Sequence, residues 1–100
     1  MFKLTDYIPK AELETFCRKN HIIKMSLFGS ALSDELKPGS DIDILVEFDK
    51  DHIPGLMDLA GMEIDLAEMF GRKVDLRTPD ELSRYFRDEV LEKARVEYAI

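Results

Sequence analysis

Cysteine and positive charge are both scarce in this sequence of 100 residues. The single cysteine, Cys17, excludes an internal disulfide, and no Cys/His grouping has the spacing of a zinc site. Fourteen basic residues against 21 acidic ones give a formal net charge of -7, which repels phosphate backbones. The negative charge argues against stand-alone DNA or RNA binding. The single cysteine favours a reducing, cytoplasmic setting.

Long apolar runs are absent as well. No stretch approaches the roughly 20 apolar residues of a membrane-spanning helix, and residues 1–10 lack the apolar centre of a signal peptide. We therefore expect no membrane partner. The length suits one domain over residues 1–100, and 45% hydrophobic residues are enough to build one core.

Hydrophobic spacing divides the chain into alternating helical and extended segments. Apolar residues three or four apart predict helices over residues 9–19 and 56–70, the second ending at Gly71. The predicted apolar stripe of the second helix is Leu56, Leu59, Ala60, Leu66, Ala67 and Phe70, and Met62 and Ile64 fall off it. A period of two predicts strands over residues 22–28, 41–48 and 73–77. The capping pattern of Thr78, Pro79 and Glu81 predicts a last helix that continues to Tyr98, with a break near Arg87. One short helical turn is expected within residues 31–37.

Three aspartates occupy corresponding places in two of these strands. Asp41 and Asp43 are two residues apart and share a face, and Asp75 lies outward in the third strand. Carboxylates crowded together repel each other unless a cation compensates them or one takes up a proton. Mg²⁺ prefers hard oxygen ligands and is typically held by one or two carboxylates together with substrate phosphates. The pattern therefore leaves two interpretations, a divalent metal site or a turn followed by a solvent-exposed strand, and Ser-Asp-Ile-Asp taken alone is typical of the second.

A glycine and a serine follow the first strand directly. Gly29 permits close approach of the backbone, and the Ser30 hydroxyl and neighbouring N–H groups are suited to holding phosphate. By itself a Gly-Ser pair is merely a turn.

Taken together, three segments carry a resemblance to a known family. They are Leu-Phe-Gly-Ser at residues 27–30, Pro-Gly-Ser-Asp-Ile-Asp-Ile-Leu-Val at residues 38–46, and Gly-Arg-Lys-Val-Asp-Leu at residues 71–76. In this order and spacing the chain resembles the minimal nucleotidyltransferases of the polymerase-beta-like superfamily. The resemblance implies an α/β fold of α+β type, with a small mixed sheet flanked by helices.

The resemblance also implies a set of functional residues. The implied catalytic residues and metal ligands are Asp41, Asp43 and Asp75, which would hold two Mg²⁺ ions. The implied nucleotide-binding residues are Gly29, Ser30 and Ser40, and the implied substrate is ATP. The implied reaction transfers AMP to a hydroxyl, whose proton Asp75 is placed to receive. Similar chains are antitoxins that adenylylate a tyrosine of a partner HEPN ribonuclease toxin, and the charge of -7 agrees with a protein partner.

One departure from the family leaves two alternatives open. Members often place an arginine two or three residues after the serine, whereas this chain continues Ala31-Leu32-Ser33. Phosphate charge would then be balanced by backbone, metal, Lys37, Arg72 or Lys73. One alternative is a catalytically degenerate antitoxin that neutralises its partner by binding. The other is a nucleotidyltransferase acting on a small-molecule hydroxyl, although such enzymes normally carry a further domain for the acceptor.

Overall fold

The computed structural model describes residues 3–32 and 41–100, without the side chains of Ser30 and Ala31. Its helices are α1 (Lys10–Lys19), α2 (Leu56–Phe70) and α3 (Arg87–Lys93), and its strands are β1 (Ile22–Leu27), β2 (Ile42–Phe48), β3 (Val74–Arg77) and β4 (Arg95–Ala99). Short 3-10 turns cover Leu4–Asp6, Gly29–Leu32 and Pro79–Glu81. In the described part of the chain, no helix is long and apolar enough to cross a membrane.

The four strands form one mixed sheet in the order β3-β2-β1-β4. Strand β3 runs parallel to β2, and β1 is antiparallel to both β2 and β4. A parallel pair of neighbours needs a crossover connection, which α2 supplies. The expected class, a small mixed sheet flanked by helices, is confirmed.

The hydrophobic core lies on one face of this sheet. Inward residues of β2 alternate with outward ones, so that Ile42, Ile44 and Val46 are fully buried. The helices contribute Leu13, Phe16 and Cys17 from α1 and Met62, Leu66 and Phe70 from α2. The opposite face carries Asp43, Leu45 and Glu47, of which Leu45 is buried.

Helix α2 ends where expected and buries much of the predicted stripe, since Leu66 and Phe70 are buried and Leu59 and Ala67 pack partly buried against the core. Gly71 adopts a left-handed conformation with φ of 68°, and its N–H donates to the Ala67 carbonyl at 2.9 Å. The expected core position Leu56 is 82% exposed, whereas Met62, expected off the stripe, is 7% exposed. The buried series advances four residues at a time from Met62, which also leaves Ile64 outside.

The prediction that a helix continues to Tyr98 is wrong, although the expected break near Arg87 coincides with the start of α3. Only Arg87–Lys93 is helical, and Arg95–Ala99 forms β4 beside β1. Pairing with the open edge of β1 satisfies a row of backbone groups, which outweighs the helical spacing of the apolar residues. The Arg87 guanidinium supports the irregular segment before α3 by donating to the carbonyls of Pro79 at 2.8 Å and Leu82 at 3.1 Å.

The expected turn within residues 31–37 is only partly covered by the description. A 3-10 turn spans Gly29–Leu32 and therefore begins at the glycine itself. Residues 33–40, which include Lys37 and Ser40, lie outside the described residues.

Candidate active site

Two of the three aspartates are direct neighbours across the sheet. In the parallel register of β2 and β3, Asp43 is the partner of Asp75. Paired residues of adjacent strands project from the same face, so these two carboxylates share a side of the sheet. On the other side of Asp43, Phe28 donates its N–H to the Asp43 carbonyl at 3.1 Å. A row of Asp75, Asp43 and Phe28 therefore crosses three strands.

Strand direction explains why this row lies at one edge. Asp43 and Asp75 are each the second residue of their strand, and parallel strands begin at the same edge. Strand β1 runs the opposite way, so its carboxyl end and Gly29 reach that edge too. Asp41 immediately precedes β2, and its side chain is 43% exposed. The edge thus collects the residues that the sequence singled out from three separate segments.

Gly29 lies against the carboxylate of Asp43. Its φ of 62° belongs to the left-handed region, which side chains rarely adopt. A Cβ atom there would overlap Asp43 Oδ2 and lie 3.2 Å from Asp43 Cγ. Glycine is therefore required on two grounds, backbone conformation and space. Ser30 belongs to the same turn.

Two basic side chains are close to the aspartates. Arg77 donates from Nε to Asp75 Oδ1 at 2.9 Å, and this hydrogen bond, together with the Asp75 charge, raises the pKa of Arg77. Lys73 Nζ lies 3.9 Å from Asp41 Oδ2. Side-chain cations thus compensate part of the carboxylate repulsion for which the sequence indicated a metal.

The donor chemistry of this edge fits Mg²⁺. Asp43 and Asp75 are adjacent and supply hard carboxylate oxygens, and Mg²⁺ commonly takes only one or two carboxylates before water and phosphate complete its shell. Within residues 3–32 and 41–100, no group of three or more His, Cys, Asp or Glu side chains is close enough to hold a metal ion. Joint ligation by all three aspartates therefore stays a prediction.

Two further residues, Glu63 and Arg77, lie at this edge and were not predicted from the sequence. Glu63 of α2 accepts the N–H of Leu76 through Oε2 at 2.8 Å, which ties helix α2 to edge strand β3. Arg77 was not among the cations considered for phosphate charge, although it directly contacts Asp75. Its place two residues after Asp75 in a strand was the available signal, because such residues share a face.

The chain has similar proteins among characterised families and solved structures. It is 37% identical to a protein adenylyltransferase homologue of Methanocaldococcus jannaschii over 76 residues, which are 76% of this chain and 80% of that protein. A chain in the crystal structure of a toxin-antitoxin complex with AMP-PNP superposes with a TM-score of 0.75 at 20% identity, covering 93% of this chain and 75% of that one. A chain in the structure of a tri-AMPylated Shewanella oneidensis HEPN toxin with its MNT antitoxin superposes with a TM-score of 0.65 at 20% identity. The match covers 90% of this chain and 69% of that one.

The family assignment follows from the sequence match together with the fold. Residues 10–97 match the nucleotidyltransferase domain family, and this range spans all four strands up to Glu97 of β4. The solved structures share the overall fold, with TM-scores of 0.75 and 0.65. The chain therefore belongs to the nucleotidyltransferase domain family.

Proposed function

We propose that this protein transfers AMP from ATP to a tyrosine hydroxyl of a partner HEPN-type toxin and so acts as its antitoxin. The observation that carries the proposal is the pairing of Asp43 with Asp75 beside the Gly29 turn. The M. jannaschii relative is a protein adenylyltransferase homologue, and one matched structure holds an AMPylated toxin with its antitoxin. These names support the same reaction class for this chain.

Magnesium bound with ATP would supply the positive charge that stabilises the transition state of phosphoryl transfer. Asp43 and Asp75, with Asp41 next to them, are the residues that would hold it. The acceptor oxygen forms a bond to the α-phosphorus as the bond between the α-phosphorus and its bridging oxygen breaks, and pyrophosphate leaves. Asp75 accepts the proton of the attacking hydroxyl at its carboxylate. Gly29 keeps the turn close enough to Asp43 for backbone N–H groups of the 29–32 turn, including that of Ser30, to reach the phosphates.

The acceptor is a protein whose positively charged contact surface complements the negative surface of this chain. The chain carries a formal net charge of -7, and complementary charge speeds encounter between partners. Asp41 and Asp75 are paired with Lys73 and Arg77, so the charge that attracts a partner belongs to the surface as a whole. A toxin with a basic contact surface fits it.

The experiment uses the purified protein, ATP, Mg²⁺ and the toxin encoded beside it. Intact-mass spectrometry of the toxin should show the added mass of one AMP for each modified tyrosine. A toxin with that tyrosine changed to phenylalanine is the control, and it should gain nothing there. Absence of transfer to any residue of the toxin, with Mg²⁺ or Mn²⁺, would remove the proposal.

A second candidate is neutralisation of the partner by contact alone. The hydrogen bond from Arg77 to Asp75 favours it, because that carboxylate is already compensated without a metal. Asp43→Asn distinguishes the two candidates. Full neutralisation by this variant in an unchanged complex supports contact, whereas loss of neutralisation in an unchanged complex supports catalysis.

A further inference from the structure

A mainly apolar cavity of about 350 Å³ lies between the end of β1 and helix α3. Phe28, Gly29 and Leu32 line it from the β1 side, and Val90 and Lys93 line it from α3, with Glu89 at the same helix face. None of these α3 residues was predicted from the sequence to belong to a functional site.

The cavity adjoins the row of aspartates. Phe28 is next to Asp43 in the sheet register, on the side opposite Asp75. Neighbouring strands are about 4.8 Å apart, so the Phe28 side chain lies one strand away from the Asp43 carboxylate on the same face. Gly29 both touches the Asp43 carboxylate and borders the cavity. One continuous surface therefore runs from the acidic pair to the apolar cavity.

The lining suits a flat apolar group better than a phosphate. Phe28, Leu32 and Val90 are half-buried, so each offers carbon surface to a ligand. The Lys93 ammonium already pairs with Glu89 at 2.8 Å, and both side chains are more than 60% exposed at the rim. An aromatic ring beside aliphatic side chains is the type of surface on which nucleobases stack.

We propose that this cavity receives the nucleobase of the nucleotide substrate, with Phe28 as its stacking surface. The inference rests on the proposed function, because it assumes that the triphosphate lies at Asp43 and Asp75. The base then extends towards α3 while the α-phosphorus stays at the carboxylates. A purine is favoured over a pyrimidine, because its larger ring covers more of Phe28 and Val90.

The test compares two ligands that differ in the presence of a nucleoside. Titration calorimetry with Mg²⁺ and AMP-PNP reports base and phosphates together, and Mg²⁺ with inorganic tripolyphosphate reports phosphates alone. The cavity variants are Phe28→Leu, which removes the flat ring, and Val90→Glu, which places a carboxylate in the cavity beside Glu89. The matched control is Leu91→Glu, because Leu91 is on the same helix, is 39% exposed and does not line the cavity.

We expect both cavity variants to bind AMP-PNP about tenfold more weakly, the size of effect typical of losing one base-stacking contact. Their affinity for tripolyphosphate should match that of the wild type, and Leu91→Glu should bind both ligands normally. Wild-type preference for AMP-PNP over the matching cytidine analogue should shrink in Phe28→Leu.

Four results would overturn the inference. If the cavity variants bind AMP-PNP with unchanged affinity, the base binds elsewhere and the proposed function is unaffected. If their affinity is unchanged but AMP transfer is slower, the cavity binds the acceptor and not the base. Equal weakening of both ligands shows that the cavity residues only shape the Gly29 turn. If the wild type binds neither ligand, the proposed function fails with it.

Discussion

Asp43 and Asp75 are direct partners across the parallel pair of β2 and β3, although 31 intervening residues include the whole of α2. The crossover brings the amino ends of both strands to one edge of the sheet. Gly29, in the turn after β1, lies against the Asp43 carboxylate. This relationship makes the site sensitive to changes in the turn, in the helix that supports β3 and in the segment that follows it.

Replacing Gly29 with alanine should impair both the fold and AMP transfer. The left-handed backbone at this position costs a residue with a Cβ atom about 1 to 2 kcal/mol, and the methyl group would also displace the Asp43 carboxylate. We expect a lower midpoint in urea unfolding and slower transfer. A Gly29→Ala protein with wild-type stability and rate would show that the close contact with Asp43 is unimportant.

Gly61→Ala is the matched control and should have the opposite effect on stability. Gly61 is in the interior of α2, and nothing lies within 4 Å of a Cβ atom placed there. Alanine in a helix interior is favoured over glycine by about 0.5 to 1 kcal/mol. Urea unfolding should show this gain with unchanged transfer activity, and a loss of stability would contradict the described packing of α2.

Glu63→Ala should destabilise edge strand β3. The variant leaves the Leu76 N–H without its carboxylate acceptor, a loss of about 1 to 3 kcal/mol for a partly buried bond. Glu63→Gln, which keeps an acceptor oxygen, should lose less. Exposed Glu68 on the same helix offers the control Glu68→Ala, and hydrogen exchange at Leu76 is the local measurement. Equal exchange rates in all three variants would argue against this bond.

Arg87→Ala should loosen the segment between β3 and α3. The guanidinium donates to the carbonyls of Pro79 and Leu82, and hydrogen bonds from a charged group contribute about 1.5 to 3 kcal/mol. The control is Arg84→Ala, since Arg84 is exposed above the Tyr85 ring at 5.3 Å and a surface change there should alter stability by about 0.5 kcal/mol or less. Thermal unfolding compares them, and equal midpoints would contradict the role of Arg87.

Cys17 should be unreactive in the folded protein. Burial raises the pKa of its thiol from 9.0 to about 12, and the Glu14 charge adds to this, so thiolate is scarce at pH 8. Because the folded pKa is the higher one, the contribution of Cys17 to stability is complete below pH 9 and is lost as the pH rises towards 12. Disulfide-reagent labelling should be slow until denaturant unfolds the chain. Rapid labelling at pH 8 without denaturant would contradict the burial of Cys17.

The sequence was informative wherever local periodicity coincided with the final packing. Helix α1, the end of α2 at Gly71 and the three strands through β3 follow from hydrophobic spacing and a C-terminal glycine, because these signals act within one element. The resemblance to nucleotidyltransferases grouped Asp43, Asp75 and Gly29 by their motifs, and the fold brings all three to one edge of the sheet.

What escaped prediction depends on contacts between distant segments. Strand β4 exists because β1 offers an open edge, and the apolar spacing around Tyr98 suits a helix equally well. The bond from Glu63 to Leu76 and the contact of Arg77 with Asp75 need the sheet order, which spacing alone does not specify. The apolar cavity escaped for the same reason, since Phe28 and Val90 are 62 positions apart.

The most direct test of the acidic pair is the rate of AMP transfer from α-labelled ATP to the toxin in Asp43→Asn, Asp75→Asn and the control Asp65→Asn, an exposed position on α2. Asp43→Asn and Asp75→Asn each remove one carboxylate charge of the acidic pair at almost constant side-chain volume. A metal-assisted reaction should then lose several kcal/mol of transition-state stabilisation, which slows AMP transfer by at least about a hundredfold. We expect that loss in both variants and a wild-type rate in Asp65→Asn. Wild-type transfer by Asp43→Asn, in a protein that folds normally, would contradict it.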